Sequence, residues 1–154
     1  MTNLAIFAAG CFWGIEEKFL SQPGVLNTEV GYIGGITKDP NYQDVCIGNT
    51  EHAEAVRVKF DAQAISYESL LKLFFEIHDP TTLNRQGPDV GTQYRSEIFC
   101  LDQDQYLKAD MFKRNLNNNM FNGNIVTSIS MAGTFWIAEE YHQKYIRKKK
   151  NMIL

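Results

Sequence analysis

Cys11 stands in Gly10-Cys11-Phe12-Trp13-Gly14 and follows an apolar run that begins at Leu4. Leu4–Ala8 reads as a strand, and Phe12, Ile15, Phe19 and Leu20 then recur at helical spacing. This places the thiol at a helix N-terminus, where unpaired backbone N–H groups and the helix dipole favour a thiolate. A dipole contribution of about 0.3–2 kcal/mol lowers an ordinary thiol pKa of about 8.5 by at most about 1.5. Cys11 is therefore expected to be partly ionised near neutrality, with hydrogen bonds or a bound substrate completing its activation. The bland alternative is a small buried side chain. Phe12 and Trp13 are either core or an apolar cradle for a small group, such as a methyl on the atom under attack.

Glu54 is the second anomaly. On a strand read over His52–Phe60 it shares parity with Val56, Val58 and Phe60, so it should face the apolar side. A desolvated carboxyl has a raised pKa and suits a general acid near neutral pH; the alternative is an acid paired with Arg or Lys at the strand mouth. Asp89 offers a second acid in Gly87–Ser96, and Tyr42 and Tyr94 place phenols on what read as loops. The chain lacks Gly-x-Ser-x-Gly, a phosphate loop and Gly-x-Gly-x-x-Gly. His52-Ala53-Glu54 is half of a zinc deaminase signature, without the matching Pro-Cys-x-x-Cys. A thiol hydrolase pairing Cys11 with His52 or His142 remains a competitor, as does a binding module without chemistry.

Short strands and amphipathic helices must position these groups. Pro23-Gly24 ends the first helix, and Val25–Ile33 is a strand with Leu26, Val30 and Tyr32 on one face. Two long connections, Gly34–Glu51 and Asp79–Tyr94, flank the His52–Phe60 strand and a helix over Tyr67–His78. Ser96–Leu101 is a strand, Asp102 with Gln105 starts a helix reaching about Asn117, and Asn122-Gly123 turns the chain into a strand over Ile125–Met131. Glu139–Lys150 is a final helix. The alternation predicts an α+β fold, a two-layer α/β sandwich with a central mixed sheet. Residues 1–154 are expected to form one catalytic domain with a short basic C-terminal tail.

The 154 residues suit one domain, and 44% hydrophobic, 12% aromatic and 21% charged residues exclude a disordered or fibrous chain. Fifteen basic against eighteen acidic residues exclude the basic excess of a nucleic-acid binder. Leu4–Ile15 is an uncharged run too short to span a bilayer and lacks preceding basic residues, so the expectation is a cytoplasmic monomer without a membrane partner. Three scattered cysteines, Cys11, Cys46 and Cys100, make neither a disulfide framework nor a zinc site, and no metal or organic cofactor is expected. Cys100 shares parity with Ile98 and reads as core. Cys46 lies in the segment that supplies Tyr42 and could approach Cys11.

Taken together, these blocks resemble the A-type peptide methionine sulfoxide reductases. The resemblance rests on Gly10–Gly14, on Tyr42-Gln43-Asp44-Val45-Cys46, and on Gly48-Asn49-Thr50 leading into His52-Ala53-Glu54-Ala55-Val56. It continues through Gly91–Ser96 and Ala138–Gln143. It implies a two-layer sandwich that reduces methionine-S-sulfoxide, protein-bound or free. It further implies that Cys11 attacks the sulfur, Phe12 and Trp13 hold the methyl group, and Glu54 protonates the departing oxygen. Tyr42 and Tyr94 would hydrogen-bond that oxygen, and Asp89 would position substrate. The product would be methionine and a Cys11 sulfenic acid. Many relatives carry resolving cysteines in a C-terminal tail, whereas no cysteine follows Cys100 here. A one-cysteine cycle is therefore expected, reduced by an external thiol such as glutathione with glutaredoxin. The runner-up is a Cys11–Cys46 disulfide reduced by thioredoxin.

Overall fold

The computed structural model describes residues 2–153, so the terminal Leu154 of the basic tail lies outside it. Six strands form one sheet: β1 (Thr2–Ala9), β2 (Val25–Ile33), β3 (Ala53–Asp61), β6 (Ser96–Cys100), β7 (Ser128–Met131) and β8 (Trp136–Ile137). Their order is β7-β6-β1-β3-β2-β8, antiparallel throughout except for the parallel β6–β7 pair. The mixed sheet is thus as expected. A separate two-stranded ribbon joins β4 (Arg85–Gln86) to β5 (Asp89–Val90).

The helices cover one face. They are α1 (Phe12–Leu20), α2 (Tyr42–Ile47), α3 (Tyr67–Glu76), α4 (Gln103–Asn119) and α5 (Tyr145–Ile153). Alternation along the strands builds this core: Ala5, Phe7 and Ala9 of β1 and Val56, Val58 and Phe60 of β3 meet Phe12, Phe19, Leu70, Leu71 and Phe74 from the helices. Phe7 stacks on Phe19 at 5.0 Å and lies 5.3 Å from the Phe74 ring. Burying each such ring stabilises the fold by about 1.5–3 kcal/mol. Ile6, Ala8, Ile33, Ala53, Ala55 and Phe99 form a smaller cluster on the opposite face. Among the described residues no helix is long and apolar enough to cross a membrane.

Several boundaries depart from the sequence-based expectation. The register shifts between Val25 and Asn27, a bulge that turns Leu26 outward to 55% exposure instead of placing it beside Val30 and Tyr32. The connection 34–51 contains α2, capped by the Asn41 side chain, which accepts from the Asp44 N–H, and closed by Gly48 in the left-handed conformation. Only Ser128–Met131 of the expected Ile125–Met131 strand pairs, and α3 ends two residues before His78. The expected final helix divides into a 3-10 turn over Glu140–His142 and α5, broken at Lys144 with φ +53°. At that break the Lys144 N–H donates to Glu16 at 2.7 Å and its ammonium to the Thr28 carbonyl at 2.8 Å. The start of α4 is as expected: Asp102 accepts from the Gln105 N–H, while the Gln105 side chain reaches back to the Leu101 N–H.

Candidate active site

The site forms where β1 ends and the antiparallel β3 begins. Cys11 caps α1 after Gly10, whose φ of +100° and close approach to the Gln86 side chain leave no room for a Cβ. Glu54 is 1% exposed on the helical face of β3, as its parity indicated. Its carboxylate accepts from the Phe12 N–H at 3.2 Å, which ties the acid to the residue next to Cys11. Burial raises the Glu54 pKa to about 7, the Phe12 N–H opposes that rise, and the charge of Asp89 adds to it. The carboxyl is therefore placed to hold and release a proton near neutral pH.

Cys11 differs from the expectation of a lowered pKa. Burial pushes the thiol above its ordinary value, the Trp13 backbone N–H opposes, and the charges of Glu54 and Asp89 push the same way as burial. One helix terminus does not outweigh desolvation between two acids. The thiol is held mostly protonated in the free protein, so activation depends more heavily on the bound substrate.

The two phenols belong to the same group. Tyr42 is the first residue of α2, and Tyr94 ends a 3-10 turn over Thr92–Tyr94; neither lies on an irregular loop. Burial raises the Tyr94 pKa to about 12, with Glu54, Cys46, Asp89 and Cys11 acting in the same direction. Burial and the neighbouring Cys46 thiol carry Tyr42 well above the ordinary phenol range, and Glu54 and Tyr94 add to it. Both phenols keep their protons at pH 7 and can donate hydrogen bonds. Asp89, half-buried on β5, lines a cleft of about 360 Å³ together with Cys11, Ile15, Lys18, His78 and Gln86. All five expected polar or thiol residues thus act on one another at one end of the sheet.

The aromatic pair divides. Phe12 is fully buried, 5.8 Å from the Tyr32 ring and 5.2 Å from His142, whereas Trp13 is half-buried. The Trp13 indole stacks on Tyr145 at 3.9 Å, and its N–H donates to His142 Nδ1 at 2.9 Å. These partners went unassigned in the sequence because they lie about 130 positions away. Glu139 was also missed. It accepts from the Tyr32 hydroxyl and from the Tyr42 N–H, each at 2.9 Å, and so anchors the start of α2. The Ala138–Gln143 motif contains it, but its spacing marks no role.

Of the two histidines in the hydrolase alternative, His52 has both ring nitrogens engaged, and His142 Nδ1 accepts from the Trp13 indole, which leaves the proton of the neutral ring on the buried Nε2. His52 is bonded to the Gly35 N–H and the Thr37 carbonyl, and His78 to the Phe74 carbonyl and Ser96. Among the described residues no group of three or more His, Cys, Asp or Glu side chains could hold a metal ion. Cys100 is buried and Cys46 exposed.

A thiol beside an acid that titrates near neutrality and two protonated phenols is equipment for a thiol-dependent oxidoreductase, and comparison with known proteins places the chain within that class. The sequence profile described as peptide methionine sulfoxide reductase matches residues 3–153. Peptide methionine sulfoxide reductase MsrA of Methanoculleus marisnigri is 52% identical over 146 residues, covering 94% of this chain and 89% of that protein. The protein of the same name from Pelagibacter ubique is 52% identical over 147 residues, covering 96% and 99%. Among solved structures, the reduced form of Mxr1 from Saccharomyces cerevisiae superposes with a TM-score of 0.92 at 36% identity, covering 97% of this chain and 86% of that one. Mxr1 in complex with Trx2 matches with a TM-score of 0.68 at 25% identity, covering 94% and 84%. The chain belongs to the peptide methionine sulfoxide reductase family.

Proposed function

We propose that this chain reduces methionine-S-sulfoxide, in proteins or free, with Cys11 as nucleophile. The observation that carries the assignment is the buried Glu54 carboxyl, bonded to the Phe12 N–H and poised near neutrality beside the thiol. A sulfoxide sulfur accepts a nucleophile readily only when its oxygen is hydrogen-bonded or protonated. Tyr42 and Tyr94 would donate to that oxygen, and Glu54 would give it a proton. Half-buried Trp13 would receive the methyl group, with the buried Phe12 ring backing it and Asp89 positioning the substrate from the ribbon. The balance is closed: the sulfoxide gives up its oxygen and becomes methionine, while the Cys11 thiol becomes a sulfenic acid. Two external thiols then restore Cys11, leaving one disulfide and one water.

Thioredoxin and glutathione with glutaredoxin are the candidate reductants; the Mxr1 complex with Trx2 supports the first. The test is turnover of separated sulfoxide epimers with dithiothreitol. The S epimer should be reduced and the R epimer spared, and Cys11→Ser should abolish the reaction. Full activity in that variant would refute the mechanism. An acyl-enzyme on Cys11 without sulfoxide turnover would restore the hydrolase alternative.

A further inference from the structure

The two phenols ride on short carriers, and a buried side chain that the mechanism does not use joins them. Gln93 lies between Thr92 and Tyr94 and is 4% exposed. Its Nε2 donates to the Cys46 carbonyl at 3.2 Å, a bond across 47 positions to the end of α2. Glu139 holds the start of α2 through the Tyr42 N–H, so Gln93 supplies the second outside anchor of that six-residue helix. Arg95 independently ties the same turn to the carbonyls of Gly34 and Glu51.

The other half of the Gln93 amide is unusual. Its Oε1 is buried and has no hydrogen-bond partner among the described residues. The backbone closes round it: a Cβ on Gly91, where φ is +142°, would fall 2.1 Å from that oxygen, and one on Gly48 would fall 3.6 Å away. A buried acceptor left unpaired costs stability, so an amide here is poorly explained by folding alone. What the amide does supply is a fixed separation between the carrier of Tyr42 and the carrier of Tyr94.

We propose that Gln93 is a positioning residue that sets the spacing of the Tyr42 and Tyr94 hydroxyls, and thereby the grip on the sulfoxide oxygen. The proposal rests on the function assigned above. Gln93→Met keeps the length of the side chain and removes both hydrogen-bonding atoms. The rate of Cys11 sulfenic acid formation in a single turnover should fall by about 10- to 100-fold, the range for a small misplacement of catalytic groups. The melting temperature should move by less than about 4 °C, because the lost bond and the removed orphan acceptor offset one another.

A purely structural residue would show the reverse, a lower melting temperature with the rate of the folded enzyme unchanged. The second readout is a cycle with Tyr94→Phe. If Gln93 acts through the phenols, Gln93→Met should cost less than about threefold once Tyr94 has lost its hydroxyl. An equal loss in both backgrounds overturns the proposal. Should Gln93→Met not fold, the smaller Gln93→Leu also removes both hydrogen-bonding atoms without burying a titratable group, and should show the same rate loss; full activity there also overturns it. Wild-type protein run in parallel separates the two levels, since absence of sulfenic acid in wild type would refute the function itself.

Discussion

Glu54 shows how one side chain carries a pH dependence for both chemistry and stability. Its carboxyl is raised to about 7, so the form able to donate a proton declines about tenfold per pH unit above that value. Glu54→Gln keeps the bond from the Phe12 N–H but has no proton to give. It should slow sulfenic acid formation by roughly 10²–10⁴, and the ratio of wild-type to variant rates should shrink about tenfold per unit above pH 7. The stability effect has a definite sign. An acid raised in the folded state favours folding fully below its unfolded pKa of about 4.5, and that contribution is lost as pH rises through about 7. Wild type should therefore lose melting temperature relative to Glu54→Gln between pH 5 and 8; parallel curves would contradict the raised pKa. Strand parity was enough to find Glu54, because one alternation decides which face it takes. Glu139 and Gln93 were not legible, since their partners lie on remote segments and no local pattern records them.

At the scale of elements, Glu16 is the joint of the site. Buried on α1, it accepts from the Thr28 hydroxyl of β2 and from the Lys144 N–H ahead of α5, both at 2.7 Å. Hydrogen bonds to a charged group contribute about 1.5–3 kcal/mol each. Glu16→Ala should destabilise by roughly 2–4 kcal/mol in urea melts. It should also raise KM more than it lowers kcat, because the segment it fixes carries His142 and Tyr145 against Trp13. A fall in stability with unchanged KM would uncouple that segment from substrate binding. The same joint explains why the final helix was misjudged. Residues 139–150 contain no glycine or proline that would interrupt a helix, and the break at Lys144 is imposed by bonds to Glu16 and Thr28 that only the tertiary fold creates. The six-residue α2 escaped for the opposite reason, being too short to show a period; only Asn41 and Gly48 at its ends announced it. The long periodic segments and the alternating strands, by contrast, were readable because burial of one face fixes them.

For the molecule as a whole, the catalytic cycle closes only when the oxidised thiol is reduced again. Cys100 is buried in the core and Cys46 lies exposed beside Tyr42. One turnover without reductant should consume one free thiol, leaving a sulfenic acid on Cys11 that dimedone traps. Loss of two thiols in wild type, reduced to one by Cys46→Ser, would instead establish a Cys11–Cys46 disulfide. Such a bond requires Cα atoms about 4.4–6.8 Å apart, and so movement of whatever holds α2 if the native separation is larger.

The thiol and the acid sit at the ends of the two central strands, whereas the phenols ride on a helix of six residues and a single 3-10 turn. Paired central strands open only with the whole fold, while short peripheral pieces open on their own. Amide hydrogens of residues 42–47 and 92–94 should therefore exchange with solvent long before those of β1 and β3. In a urea titration activity should vanish at a lower concentration than the far-ultraviolet signal, and coincident midpoints would show that the whole site unfolds as one. Under mild stress the protein would lose its hold on the substrate oxygen while acid and nucleophile were still in place, an inactive state from which recovery requires only two short segments to settle.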